Sequence, residues 1–425
     1  MFGGLRRRAA RRVPHYGWVV VAACFAITLV VFGLSYSFGV FFERILATFG
    51  ASRASTSAVF AVQTFVVYVG AAAVGGVVDR VGPRVPTAIG AGLLTVGLLA
   101  TARADSLLGV VLAYGVVAGL GLSALYVVAY ATVPRWFDRR RGLAVGVTTS
   151  GLGIGMLVVA PLAAASIRRV GWRATYLALV AGFVALLAVA AAFVARDPTD
   201  AGIETDAGGE VRAEVADGGP GPDSDPGPWR EQAGAVADVA RTPAFGLLFA
   251  GWVCTYAALY VLLTHGVAFL GASGFPRWVG AWTIGTVGGV TSLARLGVGY
   301  LSDRLGRARV FVACSATMGV ATLGLTVAPT PALVLGSAAL FGVGYGGNGA
   351  LLSPLTADLF GTENLNAVFG LMSAAFAVAG LVAPTAAGYV ADTQGTYAPA
   401  FVASGLLALV GAGLVAGAAR VAPEV

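Results

Sequence analysis

The chain has 425 residues, 58% of them apolar and 11% charged, with a mean hydropathy of +0.84. A soluble domain is about a quarter charged and under half apolar, so a water-soluble globule is excluded. All 27 basic residues are Arg, and against 20 acids the formal net charge is +7; on a membrane protein such an excess orients helices and does not call for a nucleic-acid partner.

Apolar runs long enough to cross a bilayer recur along the chain. In order they cover about residues 17–42, 55–78, 85–103, 107–132, 142–165 and 173–195, then 243–270, 278–301, 309–328, 332–357, 365–390 and 397–419. The basic stretch before the first run (Arg6, Arg7, Arg8, Arg11, Arg12) also fits a signal peptide. The run is about 25 residues long with no clear small-residue cleavage site before Glu43, so an uncleaved span is the better reading. The expected fold is an all-α membrane protein of twelve transmembrane helices in two pseudo-symmetric six-helix bundles, residues 1–195 and 242–425. Between them, 196–241 holds eleven acids and four Arg and includes GGPGPDSDPGP at 218–228. A segment so poor in apolar residues reads as an acidic flexible cytoplasmic linker. With the N-terminus inside, fifteen Arg fall on the inner side and seven on the outer, which predicts cytoplasmic N- and C-termini in a multi-pass protein of the cell membrane.

The second half repeats the first. At an offset of 224 residues Gly75 meets Gly299, Asp79 meets Asp303, Arg80 meets Arg304, Gly82 meets Gly306 and Gly146 meets Gly370. Six helices per repeat with equal orientation make a parallel repeat. The paired loops GGVVDRVGPR and GYLSDRLGRAR carry Gly for close approach, Asp to accept from helix N-termini and Arg to pair with carboxylates. These residues (Gly75, Asp79, Arg80, Gly82, Arg84; Asp303, Arg304, Gly306) are read as a cytoplasmic gate. Ordinary membrane-surface charge is the alternative.

Arg295 is the one Arg clearly inside a span, eight residues before Asp303 and so about 12 Å from the helix end. A charge at the bilayer centre costs about 2.5–3.5 kcal/mol on insertion scales, and no Asp or Glu lies within any span to offset it. A substrate carboxylate suits the planar guanidinium fork; an Arg snorkelling to carbonyls or headgroups is the alternative. His265, near the outer end of the seventh span, is a proton-entry or gating candidate, or simply a hydrogen-bonded core histidine. Tyr36, Tyr126, Tyr130, Tyr345 and Asn348 are candidate cavity-lining residues, Tyr126 and Tyr130 sharing one helix face. Tyr256 and Tyr260 in the seventh span are of the same kind. The GVGYGG run at 342–347 fits GxGxxG but sits inside a membrane helix, where Gly serves close helix crossing. Cys24, Cys254 and Cys314 lie far apart, so neither a disulfide framework nor a metal site is supported. No phosphate-binding, zinc-protease or esterase motif occurs, and the chain reads as neither an enzyme nor a cofactor protein.

The G-x-x-x-D-R-x-G-x-R loop resembles the hallmark of the major facilitator superfamily. Gly75, Asp79, Arg80, Gly82 and Arg84 match it fully, and the second copy departs only at Ala308. SYSFGVFFERILATFGASRA (35–54), RRRGLAVG (139–146), GWRATY (171–176) and TSLARLGVGYLSDR (291–304) resemble its monocarboxylate and oxalate/formate branch. The resemblance implies alternating access by a monomer and a small monocarboxylate of the lactate or pyruvate kind as substrate, with protons or a counter-anion as coupling partner. It also implies that Arg295 binds the carboxylate. The branch's proton symporters carry Asp four residues before that Arg, where this chain has Thr291; its oxalate exchangers carry Lys at the place of Phe376. Anion exchange or uniport, drug efflux and a non-transporting membrane sensor are the alternatives.

Overall fold

The computed structural model describes residues 16–137, 141–195, 229–361 and 365–422. Helices account for nearly all of these. The first, α1, runs Gly17–Tyr36, is interrupted at Ser37, and continues over Phe38–Phe49. Next come α2 (Arg53–Val81) and α3 (Arg84–Arg103). Helix α4 starts at Leu107–Val110, widens into a π-helical stretch Val111–Ala118 and ends in Gly119–Thr132. The helix Arg141–Phe193 is two spans: Gly171, at φ +80°, divides it into α5 (141–170) and α6 (172–193). The second half holds α7 (Pro243–Ala272), α8 (Arg277–Leu305), α9 (Arg307–Val327), α10 (Pro331–Phe360), α11 (Leu365–Gln394) and α12 (Ala398–Val421). Apolar residues all round most of these helices, whose backbone groups pair largely within each segment, suit a lipid surround.

Nine helical stretches among the described residues are long and apolar enough to cross a bilayer, and one of them holds both α5 and α6. Helices α8 and α10 fall below that hydropathy because they carry polar groups inward. The twelve-helix, two-bundle expectation holds. One difference lies in the stretch read as a linker: Trp229–Ala240 forms a helix packed on α7 and α11. Its Val236, Val239 and Ala240 are partly buried against the core, a small apolar face that average composition over 196–241 conceals. The remainder, 196–228, lies outside the described residues.

The repeat extends to helix ends. The C-terminal boundaries of α2 and α8 (Val81, Leu305), those of α3 and α9 (Arg103, Val327), and the starts of α4 and α10 (Leu107, Pro331) are each 224 residues apart. So are the caps: Ser106 accepts from Gly109 N at 3.1 Å, and Thr330 accepts from Leu333 N at 3.4 Å. A hydroxyl at the N-cap satisfies one of the donors a helix start leaves open. The halves meet along α2–α11 and α5–α8, two contacts that the repeat exchanges, and the second segment of α1 packs on α7.

At the α5–α8 crossing the backbones touch. A Cβ at Gly153 would fall on the carbonyl oxygen of Gly288, and Ser292 Oγ donates to Ser150 O at 2.9 Å. Overpacking a close crossing costs about 1–3 kcal/mol. Gly153→Val is therefore expected to lower the melting temperature of the purified protein in detergent. Gly297→Ala, with open space around it on α8, is the matched control expected to leave it unchanged; equal melting temperatures for both would contradict the crossing.

A tyrosine-walled arginine between the two halves

Arg295 stands on α8 four residues after Thr291. The residue is half-buried, and its Nε is wholly shielded without a hydrogen-bond partner. Among the described residues it joins no ion pair. Its electrostatic neighbours are phenols, Tyr130, Tyr345 and Tyr256. Thr291, at the position where the resembled symporters carry Asp, is fully buried and donates to Gly342 O on α10 at 3.2 Å. The charge therefore has no carboxylate on its own helix face.

Aromatic rings close the space around it. Tyr126 and Tyr130 of α4 lie with ring centroids 4.7 Å apart, as their spacing of four predicts. Tyr68 of α2 packs on Tyr126 at 5.9 Å and on Phe376 of α11 at 5.3 Å. Tyr345 of α10 donates across the halves to Tyr36 at the end of the first α1 segment, 3.4 Å away. On α7, the Tyr256 ring meets Phe376 at 4.7 Å, while the Tyr256 and Tyr260 hydroxyls are buried without partners. Phe376, which stands at the exchangers' Lys position, is held between Tyr68, Tyr256 and Trp252. Among the described residues this cluster thus has one cation and an aromatic wall. Phenols supply apolar surface and single donors together.

Of the residues expected here, the structure brings together Arg295, Tyr36, Tyr126, Tyr130 and Tyr345. Asn348 turns away: its Nδ2 donates to Ser315 Oγ on α9 at 3.0 Å, and Met318 Sδ lies 3.5 Å off. Sequence reasoning missed Tyr68, whose only signal is a lone Tyr in the apolar run of α2.

His265 lies at the face of the molecule away from the start of α1 and the end of α12. Its Nε2 is 2.8 Å from Pro384 O and 3.1 Å from Ser57 Oγ. A carbonyl only accepts, so Nε2 carries the proton and the unpartnered Nδ1 is the bare nitrogen. The ring packs edge-on to Phe42 and against Tyr397. Beside it, Asp392 of α11 receives the backbone N–H groups of Arg53 and Ala54 at 3.0 and 2.9 Å, and its Oδ1 lies 3.6 Å from the Arg53 guanidinium. An anion at a helix N-terminus meets open donors and the positive end of the dipole. Here the cap of α2 comes from the other half of the molecule. Gly388 allows it, since a Cβ there would come within 2.7–2.8 Å of the Arg53–Ala54 backbone. The Arg53 guanidinium lies over the Tyr397 ring at 5.5 Å. Asp392 and Arg53 were not foreseen, because each is an ordinary charge at a helix end until the fold joins them.

At the opposite face, the side chains of Gly75, Asp79, Arg80 and Asp303 lie outside the described residues. Gly82 and Gly306 adopt φ +76° and +88°, ending α2 and α8 in conformations that favour glycine. Arg84 Nε donates to Val194 O at 3.2 Å, tying α3 to the end of α6. Arg304 is exposed and folds onto Tyr300 of its own helix, and Arg307 pairs with Asp358 at 2.6 Å.

A family model for the Major Facilitator Superfamily matches residues 23–298 and 290–424. The chain belongs to the major facilitator superfamily. Rat monocarboxylate transporter 12 is 25% identical over 402 residues, covering 91% of this chain and 82% of that protein. Rat monocarboxylate transporter 13 is 26% identical over 90% and 84%, and mouse monocarboxylate transporter 11 is 27% identical over 90% and 83%. In overall fold the chain is similar to a bacterial homologue of the human lysosomal transporter Spinster, crystallised inward-facing and unoccupied. That match has a TM-score of 0.75 at 13% identity, over 96% of this chain and 98% of the other. A transporter of this superfamily is a multi-pass membrane protein that moves a small molecule, and it is not an enzyme.

The cap on α2 carries a prediction. Loss of an N-cap costs about 0.5–2 kcal/mol, so Asp392→Ala is expected to weaken closure of this face. In a cysteine-free background bearing Ala61→Cys, on the buried face of α2, labelling by a membrane-impermeant maleimide should rise several-fold. Unchanged labelling would show that the face closes without the cap.

Proposed function

We propose that the protein is a secondary transporter of small monocarboxylates of the lactate or pyruvate kind, and that Arg295 binds the carboxylate in an alternating-access cycle. The observation that carries this reading is the unpaired guanidinium in a phenol-walled chamber between the two halves, with Nε shielded and unpartnered. Its relatives named as monocarboxylate transporters support the substrate class. Phe376 leaves the chamber with a single cation, which matches one carboxylate and leaves a second without a partner.

The cycle follows from charge. An uncompensated guanidinium near the bilayer centre costs about 2.5–3.5 kcal/mol, enough to hold back occlusion on the order of a hundredfold. A bound monocarboxylate neutralises it, with Tyr130 donating to a remaining lone pair, and the empty carrier is penalised for closing. The described contacts between halves gather from mid-membrane to the His265–Asp392 face. With the Arg bias placing both termini in the cytoplasm of a cell-membrane protein, that face is extracellular and this conformer is sealed outside. His265 belongs to the seal in this reading, tying α7 to α2 and α11. The loops around Asp79 and Asp303 form the opposing cytoplasmic latch.

In proteoliposomes with protein levels matched, Arg295→Ala is expected to lower uptake of radiolabelled L-lactate or pyruvate at least tenfold, as loss of a charge-assisted pair implies. Uptake at the parental rate would sink the assignment. A second reading, exchange or uniport, is favoured by the absence of any carboxylate paired with Arg295 among the described residues, since Thr291 stands in the symporters' acidic position. Uptake that needs internal anion would point to exchange; acceleration by an inward proton gradient would point to symport.

A further inference from the structure

Helix α10 holds glycines at 342, 344, 346, 347 and 349, and their surroundings differ. A Cβ at Gly342, Gly344 or Gly346 would meet backbone, the carbonyl oxygens of Val287, Cys314 and Thr291, and at Gly347 it would meet Cys314 Sγ. Those positions set how closely α8 and α9 approach. At Gly349 the three nearest atoms all belong to Arg295: Nη2 at 2.6 Å, Cζ at 3.0 Å and Nε at 3.2 Å. The guanidinium thus occupies the space that a Cβ at Gly349 would take.

We propose that Gly349 is a positioning residue for substrate binding: it provides the recess in which the Arg295 guanidinium lies, and so fixes where the carboxylate is received. This rests on Arg295 being the carboxylate partner. A flexible side-chain end yields to a methyl group where backbone does not, so Ala at 349 is accommodated by displacing the guanidinium rather than by parting the helices. Displacement moves the fork relative to the phenols around it, Tyr130 among them, and out of register with a bound carboxylate. Bidentate recognition tolerates little such movement. The donors of the neighbouring side chains on α10 are committed elsewhere, Asn348 Nδ2 to Ser315 and the Tyr345 hydroxyl to Tyr36.

The test has two arms on the full-length protein. The first measures modification of Arg295 by phenylglyoxal, resolved by peptide mass spectrometry, in the parent, Gly349→Ala and Gly297→Ala. Arg295 in Gly349→Ala should react at a rate changed by about threefold or more, as expected of a shift in guanidinium exposure, with Gly297→Ala like the parent. The same rate in all three overturns the inference. The second arm measures radiolabelled L-lactate uptake in proteoliposomes, where Gly349→Ala should raise KM about tenfold while kcat changes less. A displaced guanidinium with unchanged KM also overturns it. If the parent itself carries no lactate or pyruvate, the substrate reading fails, while the recess stands or falls on the first arm. Should Gly349→Ala fold poorly, the double variant Gly349→Ala with Arg295→Lys decides: the slimmer Lys leaves room for the methyl group, so folding and melting temperature should recover. A double variant as unstable as the single one would show that the methyl group meets something other than Arg295.

Discussion

A single positive charge, half-buried between the two halves and without an ion-pair partner among the described residues, is the constraint on which the rest of the structure depends. Arg295 is surrounded by phenols whose hydroxyls can orient toward it but cannot neutralise it. Thr291 and Phe376 occupy the places where a carboxylate would pair with it or a second cation would stand beside it. The cost of that isolation is comparable to the free energies that separate conformations of a transporter. In the proposed cycle, binding of an anion and motion of the two halves are one problem, because the ligand that removes the charge also removes the obstacle to closing.

The two halves are built alike and joined unlike. Helix boundaries repeat at an offset of 224 residues even at capping residues, and the interfaces α2–α11 and α5–α8 are exchanged by that repeat. The sealing contacts are not repeated. Asp392 caps α2 from the opposite half, and His265 bridges Ser57 and the Pro384 carbonyl. Their positions in the repeat are filled by unrelated side chains, Arg168 for Asp392 and Phe41 for His265. Near-symmetric scaffolds with asymmetric locks are what alternating access requires: each face must open without dismantling the other.

Much of the fold is legible in the sequence because lipid leaves few choices. A run of about 20 apolar residues in a bilayer must be helical, so twelve runs give twelve helices, and parity with the repeat gives two bundles. The same logic made Arg295 conspicuous, since an intramembrane charge is rare and costly. The spacing of Tyr126 and Tyr130 placed them on one face, where they stack. The short helix at 229–240 was hidden by averaging over an acidic, proline-rich stretch, although its own residues carry a small apolar face.

Composition, hydropathy period and the 224-residue repeat thus determined the class, the number of spans, the pairing of the halves and the one charge that matters most. Which groups gather around that charge was decided only by tertiary structure. Tyr68 joins the chamber while Asn348 leaves it for α9, though Asn348 is the more polar residue. Gly349, one of five glycines in a stretch of eight residues, is the one that lies under the guanidinium. Asp392 becomes a cap for a helix 339 residues earlier in the chain. Helix periodicity fixes which residues share a face. It does not fix how two helices rotate against each other, and in lipid that rotation is set by close van der Waals packing at glycine contacts, which exists only once the bundles have assembled.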